Sequence, residues 1–360
     1  MLLTACIVFS TALIDSAEMR TWGLDTLSQI RSELFIPDRN LYGEEAKPGE
    51  KPKNVAFTWS VGIMVQALDS AAKVDASYKS VLQQYIDAYG SYWNPEGPVP
   101  GYDVWPMPKP KDRYYDDNEW MVMAFADAAT VLKSKHDLDL AKGAFSFAMS
   151  GKDNNLGGGI YWRESDKASK NTCSNAPAAA GALALFEQTH EPSYLHIAEE
   201  LYDWTKSHLR DPSDGLYWDN VGLSGKITKW KFSYNTGLML RTAAELYRFT
   251  KRDEYAQDAK EMQAASLKKW TDPEGNFTDD LKFMVLLLEN WLRAYRLVPG
   301  AEDPRPVISV GLTRMHNLSR DSLGHYGNKC NDRPTKGPYS PFHLIDQAAA
   351  AQAFLLAAAD

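Results

Sequence analysis

The sequence predicts an all-α protein whose helices form an (α/α)6 toroid, a ring of six inner and six outer helices. Three observations predict this fold. A turn signal rich in Asp, Asn, Pro and Gly recurs six times, at roughly 50 to 60 residues. Helical patterns rich in Ala and Gly alternate with amphipathic helical patterns between these turns. Short and long connections also alternate along the chain.

The turn signal defines the repeat. Each copy combines residues that favour turns, and aromatic residues that begin a short extended piece often follow. The copies occupy residues 36–43, 94–97, 153–162, 211–219, 272–277 and 321–326. A repeat of this length is typical of an array of supersecondary units.

Two classes of helix lie between the turns. Small residues let the first class pack closely as an inner ring, whereas the second class presents one apolar stripe inward. Inner helices are predicted at residues 59–72, 120–132, 178–187, 237–249, 283–294 and 348–359. Outer helices are predicted at residues 77–93, 138–149, 193–209, 254–270 and 306–318. A helix near residues 15–35 supplies the sixth outer partner and closes the ring beside the C-terminal helix.

The connections decide which residues meet. Short links such as residues 73–76 and 189–192 join each inner helix to its outer partner, and long loops lead from each outer helix to the next inner one. All long loops and all inner-helix N-termini are therefore expected on one face. Polar, acidic and aromatic residues gather there, at residues 57–59, 114–118, 171, 175–177, 232–235, 278–280 and 340–343.

Composition limits the partners. The net charge of −8 and a pI near 5.5 argue against binding to nucleic acid or an anionic membrane. No CxxC motif and no closely spaced pair of histidines is present, so we expect neither a metal nor another cofactor. Cys173 and Cys330 are both expected in loops, where an oxidising compartment would allow a disulfide without requiring one.

The most informative motif is the consecutive pair Asp116 and Asp117. It lies among Tyr114, Tyr115 and Trp120, at the start of a predicted inner helix. One reading is an acidic first helical turn with an aspartate cap. The other is a sugar-cleaving site, which needs an acid, a base or nucleophile, and flat rings that stack on pyranose faces.

A second acidic pair, Asp279 and Asp280, also stands at an inner-helix start. It lacks the flanking aromatic residues and follows a shorter loop. These differences favour the first pair, with the second as the alternative. The candidates for contact with a sugar on this face are Trp59, Tyr115, Asn118, Trp162, Asn171, Asn175 and Asp280.

Four segments give a specific resemblance. Residues 114–120 (YYDDNEW), 157–162 (GGGIYW), 170–177 (KNTCSNAP) and 232–237 (FSYNTG) resemble the landmarks of glycoside hydrolase family 76. The resemblance runs in order over roughly residues 18–360. It implies an (α/α)6 enzyme that cleaves α-1,6-linked mannan with retention of anomeric configuration.

The resemblance also implies roles. Asp116 corresponds to the nucleophile and Asp117 to the general acid/base, and Tyr234 and Asn235 would lie near the bound sugar. Two carboxylates about 5 Å apart repel by about 3 kcal/mol at an effective dielectric of about 20, which is about two pKa units. One of them must keep its proton near neutral pH, and our hypothesis assigns that proton to Asp117.

The expected function is endo-acting hydrolysis of α-mannan by a monomer. A transglycosylase that uses the same aspartate pair is one alternative, and a glycan-binding surface protein without turnover is another. An epimerase of similar fold would need two histidines facing the cleft, and only His325 and His343 lie near suitable loops. That reading is the weakest.

The N-terminus predicts export. Residues 2–13 form a short apolar run that ends near Ser16 and Ala17, as in a signal peptide, although the positive n-region is missing. Residues 3–6 (LTAC) also match a bacterial lipoprotein box, which would lipidate Cys6. A buried first helix is the alternative. We expect residues 1–17 to be an export signal, residues 18–360 to be one catalytic domain, and the protein to be secreted, periplasmic or surface-anchored, with no membrane-spanning segment elsewhere.

Overall fold

The computed structural model describes residues 15–109 and 111–360, which contain twelve α-helices. The helices are α1 Ser16–Leu34, α2 Thr58–Val74, α3 Tyr78–Tyr89, α4 Tyr115–Leu132, α5 Lys135–Met149, α6 Thr172–Thr189, α7 Pro192–Leu209, α8 Ser233–Thr250, α9 Asp253–Trp270, α10 Leu281–Leu297, α11 Arg305–Leu318 and α12 Leu344–Ala359. Every predicted helix is present, and the prediction of an (α/α)6 toroid is confirmed.

The even-numbered helices form the inner ring. Each packs against the next, from α2 to α12, and α12 packs back against α2 to close the ring. Helix α1 packs on α12, so the N-terminal helix completes the outer layer as predicted. The inner helices are buried almost all round, whereas an outer helix such as α3 buries only one stripe.

Small residues permit this crowding. A Cβ atom added at Gly237 would lie 2.9 Å from the Cα of Leu287 on α10, and one added at Gly181 would lie 2.9 Å from Cγ1 of Val122 on α4. Neither distance leaves room for a methyl group. The Ala and Gly content of the inner class is therefore a packing requirement.

The inner helices begin earlier than predicted. Helix α4 begins at Tyr115 instead of residue 120, and α6 begins at Thr172 with Pro177 inside it. The polar residues that were predicted to lie in loops occupy the first helical turn. Polar residues are favoured there because the first backbone N–H groups of a helix have no partner within the helix. Asp116 and Asp117 consequently lie within the helix and not in front of it.

Short strands join the long loops to one another. They are β1 Phe35–Ile36, β2 Leu41–Tyr42, β3 Glu45–Ala46, β4 Trp93–Asn94, β5 Gly101–Tyr102, β6 Ser169–Asn171, β7 Asn220–Gly222, β8 Ile227–Thr228 and β9 Phe342–His343. Strand β3 pairs antiparallel with β9, and β6 pairs with β7, which pairs with β8. Because these pairs connect different loops, the long loops share one face, here called the loop face.

No helix within the described residues combines the length and the apolar character that crossing a membrane requires. The predicted export signal, including Cys6, lies mostly outside the described residues.

Candidate active site

Asp116 and Asp117 are the second and third residues of α4, at the loop face. The residue that precedes the helix is Tyr114, whose side chain caps none of the first N–H groups. The backbone N–H of Asp117 donates instead to Oδ1 of Asp116, at 3.0 Å. The helix terminus thus supplies one donor to Asp116, which favours the charged form of that carboxyl.

Trp162 supplies a second donor. Its Nε1 donates to Oδ2 of Asp116 at 2.9 Å, while 42 % of the residue stays exposed. The backbone N–H of Tyr115 donates to the carbonyl of Trp162 at 3.0 Å and fixes the loop beside α4. The ring of Tyr114 meets the indole edge to face at 5.1 Å. The indole of Trp162 is therefore held in place beside a carboxylate and still exposes its ring, which suits stacking on a sugar.

The two carboxyls differ in the surroundings that set their pKa values. Burial raises the pKa of Asp116 to about 7, against the hydrogen bonds from Trp162 and from the helix terminus. Burial raises the pKa of Asp117 well above its ordinary value, and the charge of Asp116 raises it further. No donor to the Asp117 carboxyl is present among the described residues. The environment therefore favours an ionised Asp116 beside a protonated Asp117.

Behind Asp116 lie Cys173 and Tyr234. Burial raises the pKa of both groups well above their ordinary values, and the charge of Asp116 adds to each shift. The Tyr234 ring stacks on Phe283 at 4.6 Å, and Phe283 stacks on Trp59 at 5.8 Å. These rings form an aromatic layer between α2, α8 and α10. Sequence reasoning selected Tyr234 and Trp59 but missed Cys173 and Phe283.

In three of the candidates for sugar contact, the side chain is buried and already makes its contacts within the protein. Asn118 is fully buried: its Oδ1 accepts from the N–H of Tyr102 at 2.7 Å, and its Nδ2 donates to the carbonyls of Tyr102 and Tyr114. Asn175 makes the equivalent bonds to Ile160 and to the carbonyl of Asn171. Both amides hold a returning long loop, and burial separates them from a dissolved sugar.

Tyr115 is the third. Its ring is buried and stacks on Phe147 at 5.1 Å, on the side of α4 that faces the outer helix α5. Adjacent residues of a helix point about 100° apart, so Tyr115 can face α5 while Asp116, the next residue, points elsewhere. Tyr115 therefore contributes packing, and we leave it, Asn118 and Asn175 out of the proposed sugar contacts.

The remaining candidates lie at inner-helix N-termini. Asn171 is mostly buried at the start of α6, and its Oδ1 accepts from the Ser169 hydroxyl at 2.7 Å. Asn235 is fully buried in the first turn of α8, with no side-chain hydrogen bond to any described residue. Asp280 precedes α10 and pairs with Lys282 at 3.2 Å.

The second acidic pair has a structural task. Oδ2 of Asp279 accepts from the backbone N–H of Ser233 at 2.8 Å, which caps the neighbouring helix α8. Its Oδ1 accepts from the N–H of Asp280 at 2.9 Å. Among the described residues, neither Asp279 nor Asp280 accepts a hydrogen bond from an indole, as Asp116 does from Trp162. The choice of Asp116 and Asp117 as the catalytic pair stays a prediction.

Glu119 is a third carboxyl on α4 that sequence reasoning missed. It is fully buried, and neither carboxyl oxygen has a hydrogen-bond partner among the described residues. Burial raises its pKa well above the ordinary value, and the charges that Asp116 and Asp117 carry when ionised add to the shift. The environment therefore favours the neutral form of Glu119.

The cysteines and histidines have other places. Cys173 lies in the first turn of α6 and not in a loop as expected, Cys330 lies in a turn, and both are free and buried. His325 is buried between Glu33 and Asp321, at 2.7 and 3.2 Å. No group of three or more potential metal ligands is found within residues 15–109 and 111–360.

Comparison with known proteins gives the family. Mannan endo-1,6-alpha-mannosidase DCW1 of Saccharomyces cerevisiae is 32 % identical over 140 residues, which are 36 % of this chain and 31 % of that protein. Its namesake from Candida glabrata is 36 % identical over 106 residues, or 27 % and 24 % of the two chains. The chain thus spans at most about a third of the length of these curated relatives.

Solved structures match over nearly the whole chain. A GH76 α-mannanase from Bacteroides thetaiotaomicron superposes with a TM-score of 0.87 and 29 % identity, covering 96 % of this chain and 97 % of its own. An inactive variant of the α-1,6-mannanase GH76A of Salegentibacter, in complex with α-1,6-mannotriose, shares the fold with a TM-score of 0.81 and 21 % identity, over 94 % and 99 % of the chains. The profile described as Glycosyl hydrolase family 76 matches residues 38–359, and the chain belongs to this family.

Proposed function

We propose that this protein cleaves α-1,6-mannosidic bonds within α-mannan and retains the anomeric configuration. The observation that carries the proposal is that two consecutive carboxyls at the loop face differ in their hydrogen bonds and in the shifts of their pKa values. Asp116 accepts hydrogen bonds from the N–H of Asp117 and from Trp162, whereas burial and the charge of Asp116 raise the pKa of Asp117. A retaining glycosidase needs one ionised nucleophile and one protonated acid close together.

The first chemical step forms a covalent intermediate. A carboxylate oxygen of Asp116 attacks the anomeric carbon, and the bond from that carbon to the glycosidic oxygen breaks. Asp117 gives its proton to the departing oxygen, so that the leaving sugar departs as a neutral alcohol. The enzyme then carries a mannosyl ester on Asp116 and a carboxylate on Asp117.

The second step releases the sugar. Asp117 takes a proton from a water molecule as that water attacks the anomeric carbon, and the ester bond to Asp116 breaks. Asp116 returns as a carboxylate and Asp117 as an acid. Two inversions at one carbon give net retention. A sugar hydroxyl that replaces the water would give transglycosylation from the same intermediate.

The substrate assignment rests on the relatives and on the surface. The DCW1 proteins are mannan endo-1,6-alpha-mannosidases by name, and the similar Bacteroides protein is an α-mannanase. Trp162 offers an exposed ring next to Asp116, which suits the C–H face of a neutral hexose. We propose Trp162 and Tyr234 as sugar contacts, with Asn171, Asn235, Asp280 and Trp59 around them.

The location is a proposal of the same kind. We propose that the protein is exported or surface-anchored, because the apolar run at residues 2–13 resembles an export signal and the proposed substrate is a polysaccharide. Mass spectrometry of the protein recovered from its native host would show whether the first residues are removed, and whether the new N-terminus is a lipidated Cys6.

The direct test uses linear α-1,6-mannan with wild type, Asp116→Asn and Asp117→Asn. Wild type should shorten the polymer quickly before monomer accumulates, and NMR of early products should show the α-anomer first. Both variants should lose activity by at least about a thousandfold while keeping the wild-type circular dichroism spectrum. Near-normal activity in either folded variant would overturn the assignment, and products longer than the starting chains would identify a transglycosylase.

A further inference from the structure

The exposed large apolar side chains of the described residues lie towards one end of the helical ring. All of them lie on the loop face or at its edge, and none lies on the opposite face, where the short links run. They are Phe57, Trp162, Leu223, Trp230, Leu318 and Leu323. Trp162, Leu223 and Trp230 stand on the two long loops that β6, β7 and β8 join, whereas Phe57, Leu318 and Leu323 stand elsewhere on the face. Exposed aromatic area on the two joined loops indicates a binding surface there. Trp230 is the most exposed of the six, at 69 %.

Trp230 lies between two residues whose side chains contact neighbouring groups. It is part of the short link between β8 and α8. Lys229 lies over the ring of Trp218 at 4.9 Å, and Lys231 Nζ pairs with Asp211 and with Asp214 at 2.5 and 2.7 Å. The side chains on each side are therefore engaged, while the indole of Trp230 faces solvent. An aromatic side chain has few rotatable bonds, so it loses little conformational entropy when a ligand stacks on it.

A hydrogen-bonded ladder leads from the dyad to Trp230. The segment that carries Trp162 pairs with β6 through Tyr161 and Lys170, and β6, β7 and β8 follow in order. Neighbouring strands are about 4.8 Å apart, so β8 lies about 14 Å from the Trp162 segment. Trp230 follows β8 by two residues. The ladder thus holds Trp162 and Trp230 at a set separation, longer than one sugar ring.

We propose that Trp230 is a distal stacking platform that binds the mannan chain several sugar units away from the bond being cleaved. The inference rests on the proposed function and adds a preference for long chains to it. Trp162 holds the sugar at the dyad, and the ladder directs the remainder of the polymer across β6, β7 and β8 to Trp230. A neutral polysaccharide fits this surface because it has an apolar ring face for the indole at each repeat.

The test compares a short and a long substrate. Cleavage of α-1,6-mannotriose places at most two rings on one side of the broken bond, too few to reach Trp230. Trp230→Ala should therefore leave kcat/KM on the trimer within about twofold and lower it on linear mannan by about three- to tenfold, the effect of one aromatic contact. Trp230→Phe should restore most of the loss, and Leu323→Ala, an exposed residue of the last loop, should behave as wild type on both substrates.

Binding supplies a second readout. In the inactive Asp116→Asn, Asp117→Asn background, Trp230→Ala should weaken mannan affinity by a similar factor without changing trimer affinity. If Trp230→Ala weakened the binding of both substrates equally, the platform alone would be overturned. If the variant bound and cleaved mannan as well as an active wild type does, the platform would also be overturned, and the exposed Trp230 would favour a protein partner instead. A wild type that neither cleaves nor binds mannan would overturn the proposed function and the platform together.

Discussion

The indole Nε1 of Trp162 donates to Oδ2 of Asp116 at 2.9 Å, so one residue both presents a ring to solvent and holds a carboxylate. The partners lie 46 positions apart in the chain and meet because two long loops return to the same face. The bond opposes the effect of burial on Asp116 and helps to keep that carboxyl charged.

Replacement of Trp162 by Phe should separate stacking from charge. The variant keeps a ring but loses the donor, so the pKa of Asp116 should rise and the acidic limb of kcat/KM should move to higher pH. A hydrogen bond to a charged group is worth about 1.5 kcal/mol, which corresponds to a shift of about one pH unit. The pH profile on α-1,6-mannotriose measures it.

Trp218→Phe is the matched control. Its indole also donates to a carboxylate on the loop face, that of Asp211 at 3.0 Å, but it does not touch the dyad. The acidic limb of this variant should keep the wild-type midpoint. If both variants, or neither, shifted the limb, the bond to Asp116 would not set the charge of the nucleophile.

The wild-type pH profile should be shifted from that of ordinary aspartates. A raised pKa means that Asp116 keeps its proton to higher pH, and a protonated carboxyl cannot attack. With a pKa of about 7, kcat/KM should rise to a midpoint near pH 7 and fall at higher pH, when Asp117 loses its proton. An acidic midpoint near pH 4 would contradict the burial that we assign to Asp116.

Glu119→Gln should stabilise the protein as the pH rises. Glu119 has a higher pKa when folded than when unfolded, so its contribution is fully present below about pH 4 and is lost as the pH rises towards the folded pKa. Glutamine removes this dependence. The gain in free energy of unfolding should grow by up to about 1.4 kcal/mol per pH unit, as urea titrations at pH 4.5, 6 and 7.5 would measure.

Glu164→Gln should have the opposite sign. Burial tends to raise the pKa of Glu164, but hydrogen bonds and charge from the buried Arg113 hold it below the ordinary value. Its stabilisation is present above the unfolded pKa and disappears as the pH falls. The variant should therefore lose stability at pH 7.5 and lose less at pH 3.5. Parallel pH trends for the two variants would contradict this account of Glu119.

Asn118→Ala should damage stability more than sugar affinity. It removes the acceptor for the N–H of Tyr102 and the donor for two carbonyls, which should cost about 3 kcal/mol in free energy of unfolding. Thr236→Val is a milder comparison at the same place in α8, because the hydroxyl of Thr236 accepts only the N–H of Tyr217, at 3.2 Å. A normal unfolding curve with a raised KM for mannotriose would instead support the sugar contact predicted from sequence.

The buried amide side chains at the starts of the inner helices also show what a sequence pattern can and cannot predict. Asn118 and Asn175 stand four residues after the residues that precede α4 and α6, and Gln347 stands at the same place in α12, where its side chain bonds to the N–H and carbonyl of Tyr326. The sequence analysis assigned Asn118 and Asn175 to a ligand and did not single out Gln347. The fold shows that the partner is the backbone of a returning loop, which local sequence does not identify.

Some features followed from sequence alone. Helical periodicity, small residues and alternating link lengths predicted twelve helices, their ring and the shared loop face, because each of these depends on local pattern and chain geometry. The Asp116 and Asp117 pair was equally visible, since both residues and their aromatic neighbours are adjacent in the chain. The choice of this pair over Asp279 and Asp280 also needed only local context.

Tertiary structure alone decided how each side chain is used. The hydrogen bond from Trp162, the burial of Glu119 beside the dyad and the ladder that leads to Trp230 all join segments that are distant in sequence or depend on how fully a helix is enclosed. A pKa depends on the solvent removed and on the charges brought near, and both are properties of the packed ring. The sequence by itself therefore determined where the two carboxyls stand, and packing determines how burial and hydrogen bonds shift the pKa of each.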